Sequence, residues 1–434
     1  MTRRHASSRR ARTPRHALSL RAHRVRHTAA LVIVAVLAFT GAGVATALNR
    51  FEGNVTVADA ISLAGPAPAR TPSASPDATQ TAAPDPTDPQ AGKDVNILIM
   101  GSDERDGANA KIGGYVAGMR SDTTIVAHLS ADRTRAELVS IPRDSLVDIP
   151  SCTMTNGKKS YPQKHAMFNS AFATGWDMGG DMASAAGCTI KTVQATTGLT
   201  IDHFVVVDFA GFQQMIDAVG GVPICIPKNY YSPDAGLNVK AGFQTLDGPT
   251  ALAYARARKG TNMNGSDLQR TTRQQALIAA MVRELKSKNL LTNVGELLQF
   301  LDAATKSLTV DPGLSHLTDM AGLALSLKNL HTDHIVFMTI PVATAPSDPN
   351  RVVWTSASYK VWDRMANDEP VTETEVTPST SPTPPTAGSS TPGDAGSPAP
   401  GSTGTSAPTQ TSTPTVAPIP NLDTTSATDG GVCG

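Results

Sequence analysis

"VNILIMGSD", residues 95–103, is a run of aliphatic side chains that ends in a glycine, a serine and an aspartate. An apolar run of this length, closed by turn-forming residues, reads as a buried strand with functional side chains at its end. "DTTIVAHLS" (122–130) and "AELVSIPRD" (136–144) repeat the pattern at once. "HFVVVDF" (203–209), "GVPICIP" (221–227) and "HIVFMTIPV" (334–342) look like further strands. Helical patterns run over 182–197, 209–219, 250–256, 267–287, 293–309 and 314–327. Strands interleaved with helices specify an α/β or α+β layer fold around a single core. In such folds ligand sites gather where strands end.

At 434 residues the chain has room for two or three domains, but its ends reduce that number. Residues 1–27 are rich in arginine, and no acid precedes Glu52. "TAALVIVAVLAFTGAGVATAL" (28–48) is uncharged and long enough to cross a bilayer. Basic residues before this span, and only Arg50 close behind it, favour a cytoplasmic N-terminus. "GAGVATA" has the small residues of a signal-peptide cleavage site, but the apolar core is longer than such peptides carry. The expectation is a single-pass protein of the cell membrane with the rest of the chain extracellular. Residues 49–94 read as a stalk and Pro/Ala-rich linker, in which "NVTVADAISLAG" (54–65) is either membrane-proximal stalk or an outlying strand. Residues 366–434 read as a Pro/Ser/Thr-rich disordered tail.

The balance of 37 basic and 37 acidic residues therefore hides an asymmetry. The arginines cluster before the span, and the chain beyond it is net acidic, which argues against nucleic acid as a partner. Cys152, Cys188, Cys225 and Cys433 show no zinc spacing, and outside the cytoplasm four cysteines suggest two disulfides. Three pairings are open. The expected pairing is Cys152–Cys188 with Cys225–Cys433, the latter tethering the end of the tail.

Polar residues collect at the ends of the elements. Asp103 closes the first strand, Arg120 and Asp122 precede the second, and Arg143 and Asp144 close the third. Arg256 and Arg258 lie in "YARAR", and Asp267, Arg270, Arg273 and Gln274 in "SDLQRTTRQQ" (266–275), where offsets of three, six and seven put them on roughly one helical face. Each piece alone has an ordinary reading as a cap, a turn or a solvated surface pair. Their combination does not. Arginine forks bind phosphate oxygens bidentately, and paired carboxylates hold Mg²⁺, which takes its other ligands from water and phosphate. An acidic pair among several arginines thus suits a pyrophosphate–Mg²⁺ complex. G-x-S-x-G, H-E-x-x-H and P-loop motifs do not occur.

The order of these blocks also matches a family. "NILIMGSDERDG", "RSDTTIVAHL", "AELVSIPRDSLVDIP", "FNSAFATGW", "IDHFVVVDFAGFQQMIDAVGGVPICIP", "LDGPTALAYARAR" and "SDLQRTTRQQALI" resemble the LytR-CpsA-Psr family of cell-wall glycopolymer ligases over roughly 95–342. The Pro/Thr-rich ends and the extra cysteines look like an actinobacterial member. The resemblance implies a phosphotransferase that moves a glycopolymer from a polyprenyl-pyrophosphate carrier to a peptidoglycan hydroxyl, forming a phosphodiester. It implies Asp103 and Asp122 as Mg²⁺ ligands, and Arg120, Arg143, Arg256, Arg258, Arg270 and Arg273 as holders of phosphate oxygens. Gln274 would position one of them or the acceptor. Asp122, Arg143 and Arg270 would carry the catalysis, with Asp122 or Asp103 a weak candidate for accepting the proton.

Two departures stand out. Asn264 and Gly265 stand where many relatives carry a basic residue, so either one phosphate contact is absent or Lys259 supplies it from the same loop. The Gly-rich loop between Asp103 and Arg120 is long. The polyprenyl chain needs an apolar slot, for which the patterns 293–309 and 314–327 are candidates. A lipid-pyrophosphate hydrolase and a non-catalytic wall-polymer-binding or regulatory protein are the alternative functions. Pattern and resemblance together give the expected architecture: one three-layer domain over 95–365, with a central mixed β-sheet flanked by helices, after one N-terminal transmembrane helix.

Overall fold

The computed structural model describes residues 53–68, 88, 90–103, 109, 111–112, 118–288, 305–306, 308–327, 329–372, 424–426 and 433. The expected cytoplasmic tail and transmembrane segment lie outside these residues, as does most of the C-terminal tail. Among the described residues no helix is long and apolar enough to cross a membrane.

A mixed sheet of eight strands forms the centre, in the order β1-β12-β7-β2-β3-β4-β13-β16. Its members are β1 (Thr56–Val57), β2 (Val95–Ser102), β3 (Ser121–Leu129), β4 (Ala136–Ser140), β7 (His203–Val207), β12 (Leu308–Val310), β13 (Ile335–Thr339) and β16 (Thr424–Ser426). β2, β3 and β4 run antiparallel to their sequence neighbours, while β7 pairs parallel with β2 and β13 parallel with β4. Four hairpins lie outside the sheet: β5 (Leu146–Ile149) with β6 (Gln163–Met167), β8 (Val222–Ile226) with β11 (Gly242–Leu246), β9 (Tyr230–Ser232) with β10 (Leu237–Val239), and β14 (Val342–Ala345) with β15 (Asp348–Trp354). "GVPICIP" is thus a strand, but of a hairpin.

The described helices are α1 (Ala60–Ala64), α2 (Ser170–Gly179), α3 (Met182–Thr197), α4 (Phe209–Ala218), α5 (Gly248–Arg256), α6 (Asp267–Ser287), α7 (Leu317–Ser326) and α8 (Ser356–Ala366). Alternation along the strands assigns their side chains to the two faces of the sheet. Leu98, Met100, Val126, Val139 and Met338 meet Phe172, Ile190, Val193 and Trp362 of α2, α3 and α8. On the other face Ile97, Leu138 and Phe337 meet Ile278, Ala279 and Val282 of α6 and Leu323 of α7. Helices therefore cover both faces. α2 and α3 touch at Gly175, where an added Cβ would stand 2.2 Å from the Ser184 carbonyl oxygen. Any larger residue there would push these helices apart.

The folded unit reaches past 95–365 at both ends. Of the two readings of 54–65 the strand is observed: β1 pairs with β12, and Ala60 and Ala64 of α1 are buried in the core. Asp88, inside the expected linker, is buried and ion-paired to Arg133 at 3.0 Å. Beyond α8, Asp368 bonds His128 and Val371 is buried, while β16 pairs with β13. The disulfides are Cys152–Cys188 and Cys225–Cys433, so the tail's end is tethered to the β8–β11 hairpin. The pattern 293–309 lies largely outside the described residues, and its end is not helical: Leu308–Val310 forms β12, because Thr309 and Val310 complete the sheet between β1 and β7.

Candidate active site

Helix α6 starts where its sequence dictates. Ser266 caps it, accepting from the Leu268 N–H, and Asp267 occupies its first turn. Gln275 anchors the helix to the sheet through the hydroxyls of Ser140 (3.0 Å) and Thr339 (3.1 Å). This fixes the N-terminus of α6 over the ends of β2, β3 and β4. The three sequence clusters meet there.

The meeting point is a chain of ion pairs. Arg143 Nη1 donates to Asp122 Oδ1 at 2.7 Å, and its backbone N–H donates to Asp267 Oδ2 at 3.3 Å. Arg270 Nη2 donates to the Asp122 carbonyl at 2.6 Å and lies 2.5 Å from Asp267 Oδ1. Arg143 Nε also faces Asp144 Oδ2 at 3.7 Å, and Asp144 Oδ1 holds Arg351 at 3.0 Å. Burial pushes the Asp122 carboxyl up, but Arg270 and Arg143 outweigh it and hold Asp122 below the usual carboxylate range. For Asp267 burial prevails over the same two arginines, and its carboxyl is raised.

Behind this chain opens a cavity of about 350 Å³ between the sheet and α4, α5 and α6. Its lining changes character along two elements in parallel. Down β2 it runs from Asp103 through Gly101 to Ile99; along α6 it runs from Arg270 through Gln274 to Ile278 and Met281. Val207, Phe212, Met215, Leu252 and Leu277 complete the apolar part. At the charged part Ser102 Oγ, Arg258 Nε and Arg270 Nε are buried without a hydrogen-bond partner among the described residues. Three buried donors without an acceptor among the described residues suit an anionic ligand. Arg256 stacks its guanidinium over the Phe209 ring, 4.2 Å from the centroid, where charged and apolar linings meet.

The expected site residues divide by position. Asp103, Asp122, Arg256, Arg258, Arg270 and Gln274 line the cavity. Arg143 stands behind Asp122, and Gln274 is oriented by the Ala255 carbonyl at 3.1 Å. Arg120 meets Asp103 through its backbone, whose N–H donates to Asp103 Oδ1 at 2.6 Å, while its side chain is exposed. Arg273 is outside the lining. Six residues after Asp267, at about 100° each, it stands about 120° round the helix from that residue. There it is buried, donating to the carbonyls of Tyr254 and Ala257 with its guanidinium against the Tyr230 and Tyr254 rings. Lys259 is exposed and outside the lining. Residues 314–327 do not wall the cavity: Leu314, Leu323 and Leu327 pack into the cores flanking the sheet.

Sequence reasoning left Asp267, Asp144, Phe209 and Ser102 out of the site. Asp267 carried a signal, since it shares a helical face with Arg270. The others did not.

No group of three or more His, Cys, Asp and Glu side chains converges among the described residues. Two carboxylates, Asp103 and Asp122, do line one cavity from adjacent strands. That hard-oxygen pair fits Mg²⁺, which is held by one or two carboxylates and completed by water and phosphate.

Fold and site define a mixed α/β protein whose cavity suits an amphiphile with an anionic head. The chain matches the LytR_cpsA_psr family over residues 69–373 and belongs to that family. It is 31% identical over 268 residues to the cell wall biosynthesis protein LcpA of Corynebacterium glutamicum, covering 58% of this chain and 50% of that one. To the polyisoprenyl-teichoic acid–peptidoglycan teichoic acid transferase TagU of Oceanobacillus iheyensis it is 35% identical over 240 residues, 55% of this chain and 67% of that one. The chain thus spans half the length of the Corynebacterium relative. Among solved structures, B. subtilis TagV is similar with a TM-score of 0.47 and 25% identity, over 64% of this chain and 97% of that one.

Proposed function

We propose that this chain is a membrane-anchored phosphotransferase that moves a glycopolymer from a polyprenyl-pyrophosphate carrier to a peptidoglycan hydroxyl. The observation that carries this reading is the two-part cavity: arginines and carboxylates at the strand ends, and an apolar interior continuous with them. A prenyl chain occupies the interior and the pyrophosphate the charged end. The cell membrane is the expected location, with residues 28–48 as the anchor and the folded domain outside.

In the reaction the acceptor oxygen bonds to the sugar-proximal phosphorus. The bond from that phosphorus to the bridging oxygen breaks, and polyprenyl phosphate leaves with the electron pair. Asp122, held in its ionised form by two arginines, is a poor base, so the hydroxyl proton is assigned to solvent. Arg258 and Arg270 aim donors at the charge growing on the phosphate oxygens, and Arg256 bears on the leaving group. Asp103 and Asp122 would hold Mg²⁺, which when bound neutralises pyrophosphate charge. Arg143 keeps Asp122 oriented, and positioning supplies much of the rate.

The test uses the full chain in detergent with a short-chain polyprenyl-pyrophosphate oligosaccharide, Mg²⁺ and uncrosslinked peptidoglycan, with mass spectrometry of products. Phosphodiester-linked product that requires the metal and is lost in Arg258→Ala supports the transferase. Free sugar phosphate alone establishes a hydrolase, and bound donor without turnover a binding protein.

A further inference from the structure

The ion-pair chain does not stop at the cavity. From Asp122 it passes through Arg143 and Asp144 to Arg351 on β15, whose Nε also faces Asp348 Oδ2 at 3.8 Å. The backbone follows the same path: Val352 N–H donates to the Asp144 carbonyl at 3.2 Å, and Ser145 bridges to Val352. Arg351 and Asp348 open onto a second groove of about 580 Å³, walled by the β5–β6 and β14–β15 hairpins. Met167, Pro346 and Val353 give it an apolar part, and His165 lines it together with Arg351 and Asp348.

Both hairpins break register beside this groove, between Val147 and Ile149 and between Thr344 and Ala345. Such irregularities re-aim side chains and are enriched near functional sites. His165 itself sits at φ +48°, a left-handed conformation uncommon for a residue other than glycine. Its backbone N–H is fixed by Asp148 at 3.1 Å, and its side chain is exposed. Opposite charges balance within the groove, so it does not select an anion. Acceptors on Asp348, donors on Arg351 and the imidazole of His165, beside apolar side chains, suit the hydroxyls and C–H face of a sugar ring.

We propose that this groove seats a saccharide ring of the hydroxyl-bearing acceptor, delivering it to the Asp122–Arg143 side of the pyrophosphate. The assignment rests on the phosphotransferase reading above for the acceptor's role, but not for the binding itself. The donor's own glycan has the same chemistry, so the experiment separates the two.

Full-length chain in detergent is assayed for transfer at varied acceptor and varied donor. In parallel, ligand-observed NMR follows binding of a soluble uncrosslinked peptidoglycan glycan fragment. Asp348→Ala and His165→Ala should each raise the acceptor KM by about tenfold, the worth of one or two hydrogen bonds, and move the donor KM by less than about twofold. The double variant Asp348→Ala/His165→Ala, about 100-fold weaker if the two effects add, should abolish the NMR signal of the glycan fragment. Tyr161→Ala, 90% exposed and outside the groove, serves as the control. A raised donor KM instead gives the groove to the donor glycan and overturns the proposal. Unaltered acceptor KM, or glycan binding that survives both substitutions or is absent from the wild type, overturns it too. Glycan binding that depends on His165 and Asp348, without transfer from any donor, sinks the phosphotransferase reading and leaves the groove as a saccharide site.

Discussion

Arg270 donates Nη2 to the backbone carbonyl of Asp122 at 2.6 Å, and the same nitrogen lies 2.5 Å from Asp267 on its own helix. One guanidinium therefore ties the first turn of α6 to the start of β3, across 148 residues of chain. Both side chains of the pair are almost fully buried, at 3% and 7% exposure. The contact builds the cavity's charged end and also places two charges where water cannot reach them.

Breaking such a pair from one side leaves the other charge buried alone, which costs about 3–5 kcal/mol. Arg270→Met should cost that much in denaturant melts. Replacing both partners, Asp267→Leu with Arg270→Met, should recover most of the loss, because a buried pair replaced by apolar groups is often neutral. Transfer activity should stay absent in both. A double variant as unstable as Arg270→Met would show that the helix start depends on the charges themselves.

Arg258 should behave differently. Among the described residues it forms no ion pair, and its buried Nε has no acceptor. Arg258→Ala should reduce kcat by about 100-fold or more, as loss of one charge-stabilising donor does. Its melting temperature should stay near that of the wild type. Parallel kinetics and thermal melts decide this, and a large loss of stability with modest loss of rate would place Arg258 in the scaffold.

The apolar interior predicts a dependence on donor chain length. Ile278 and Met281 line it one and two helical turns beyond Gln274. Ile278→Trp should fill the space, raising the KM of a long-chain polyprenyl donor by about tenfold or more while affecting a short-chain analogue much less. Equal effects on both donors would mean that the chain lies elsewhere.

Arg273 marks where sequence reasoning runs out. The strands Val95–Ser102 and Ser121–Leu129 and the helix Asp267–Ser287 are legible, because burial on one or both faces imprints a period on the residues. The gathering of Asp103, Asp122, Arg143 and Arg270 is legible too, since polar residues at strand ends have few other reasons to recur. Arg273 looks identical in the sequence, yet it supports the Tyr254 and Ala257 carbonyls that end α5 and set out Arg256 and Arg258. Only the helix's rotation against its neighbours separates the two roles. The edge strands are not legible, for another reason. β1 and β16 have two and three residues, too short for any period, and they exist only because the sheet has edges to cover.

Arg273→Lys should accordingly act on stability. A single ammonium cannot serve two carbonyls and two ring faces as a planar guanidinium does. A drop of about 1–3 kcal/mol is expected, with kcat lowered through displaced Arg256 and Arg258 and little change in donor KM. A large donor KM effect in a protein of unaltered stability would return Arg273 to the phosphate site.

Asp368 gives the fold a pH dependence of known sign. It lies just beyond α8 at φ +54° and holds the end of the domain against β3 and β4. Its carboxylate accepts from the Ala131 N–H at 3.0 Å, pairs with Arg135, and stands 3.1 Å from His128 Nε2, which is fully buried. Burial pushes its pKa up, but the bonds from His128 and Ala131 and the charge of Arg135 outweigh it, leaving the carboxyl below 3.8. A carboxyl depressed by folding contributes stability that is fully present above the unfolded pKa and is lost as pH falls through the folded one. Asp368→Asn should therefore cost about 1–3 kcal/mol at neutral pH and progressively less below pH 3.8, so that the two stability curves converge in acid. Glu137, beside it, moves the other way: burial raises its carboxyl, so its cost to the fold appears as pH rises through 4.5. The difference between variant and wild type, in which Glu137 largely cancels, is the quantity to follow. Truncation before Asp368 should cost more than Asp368→Asn at neutral pH, because it also removes the buried Val371, the pairing of β16 with β13 and the Cys225–Cys433 disulfide. Curves that run parallel from neutral pH into acid would mean that Asp368 holds the chain by shape alone.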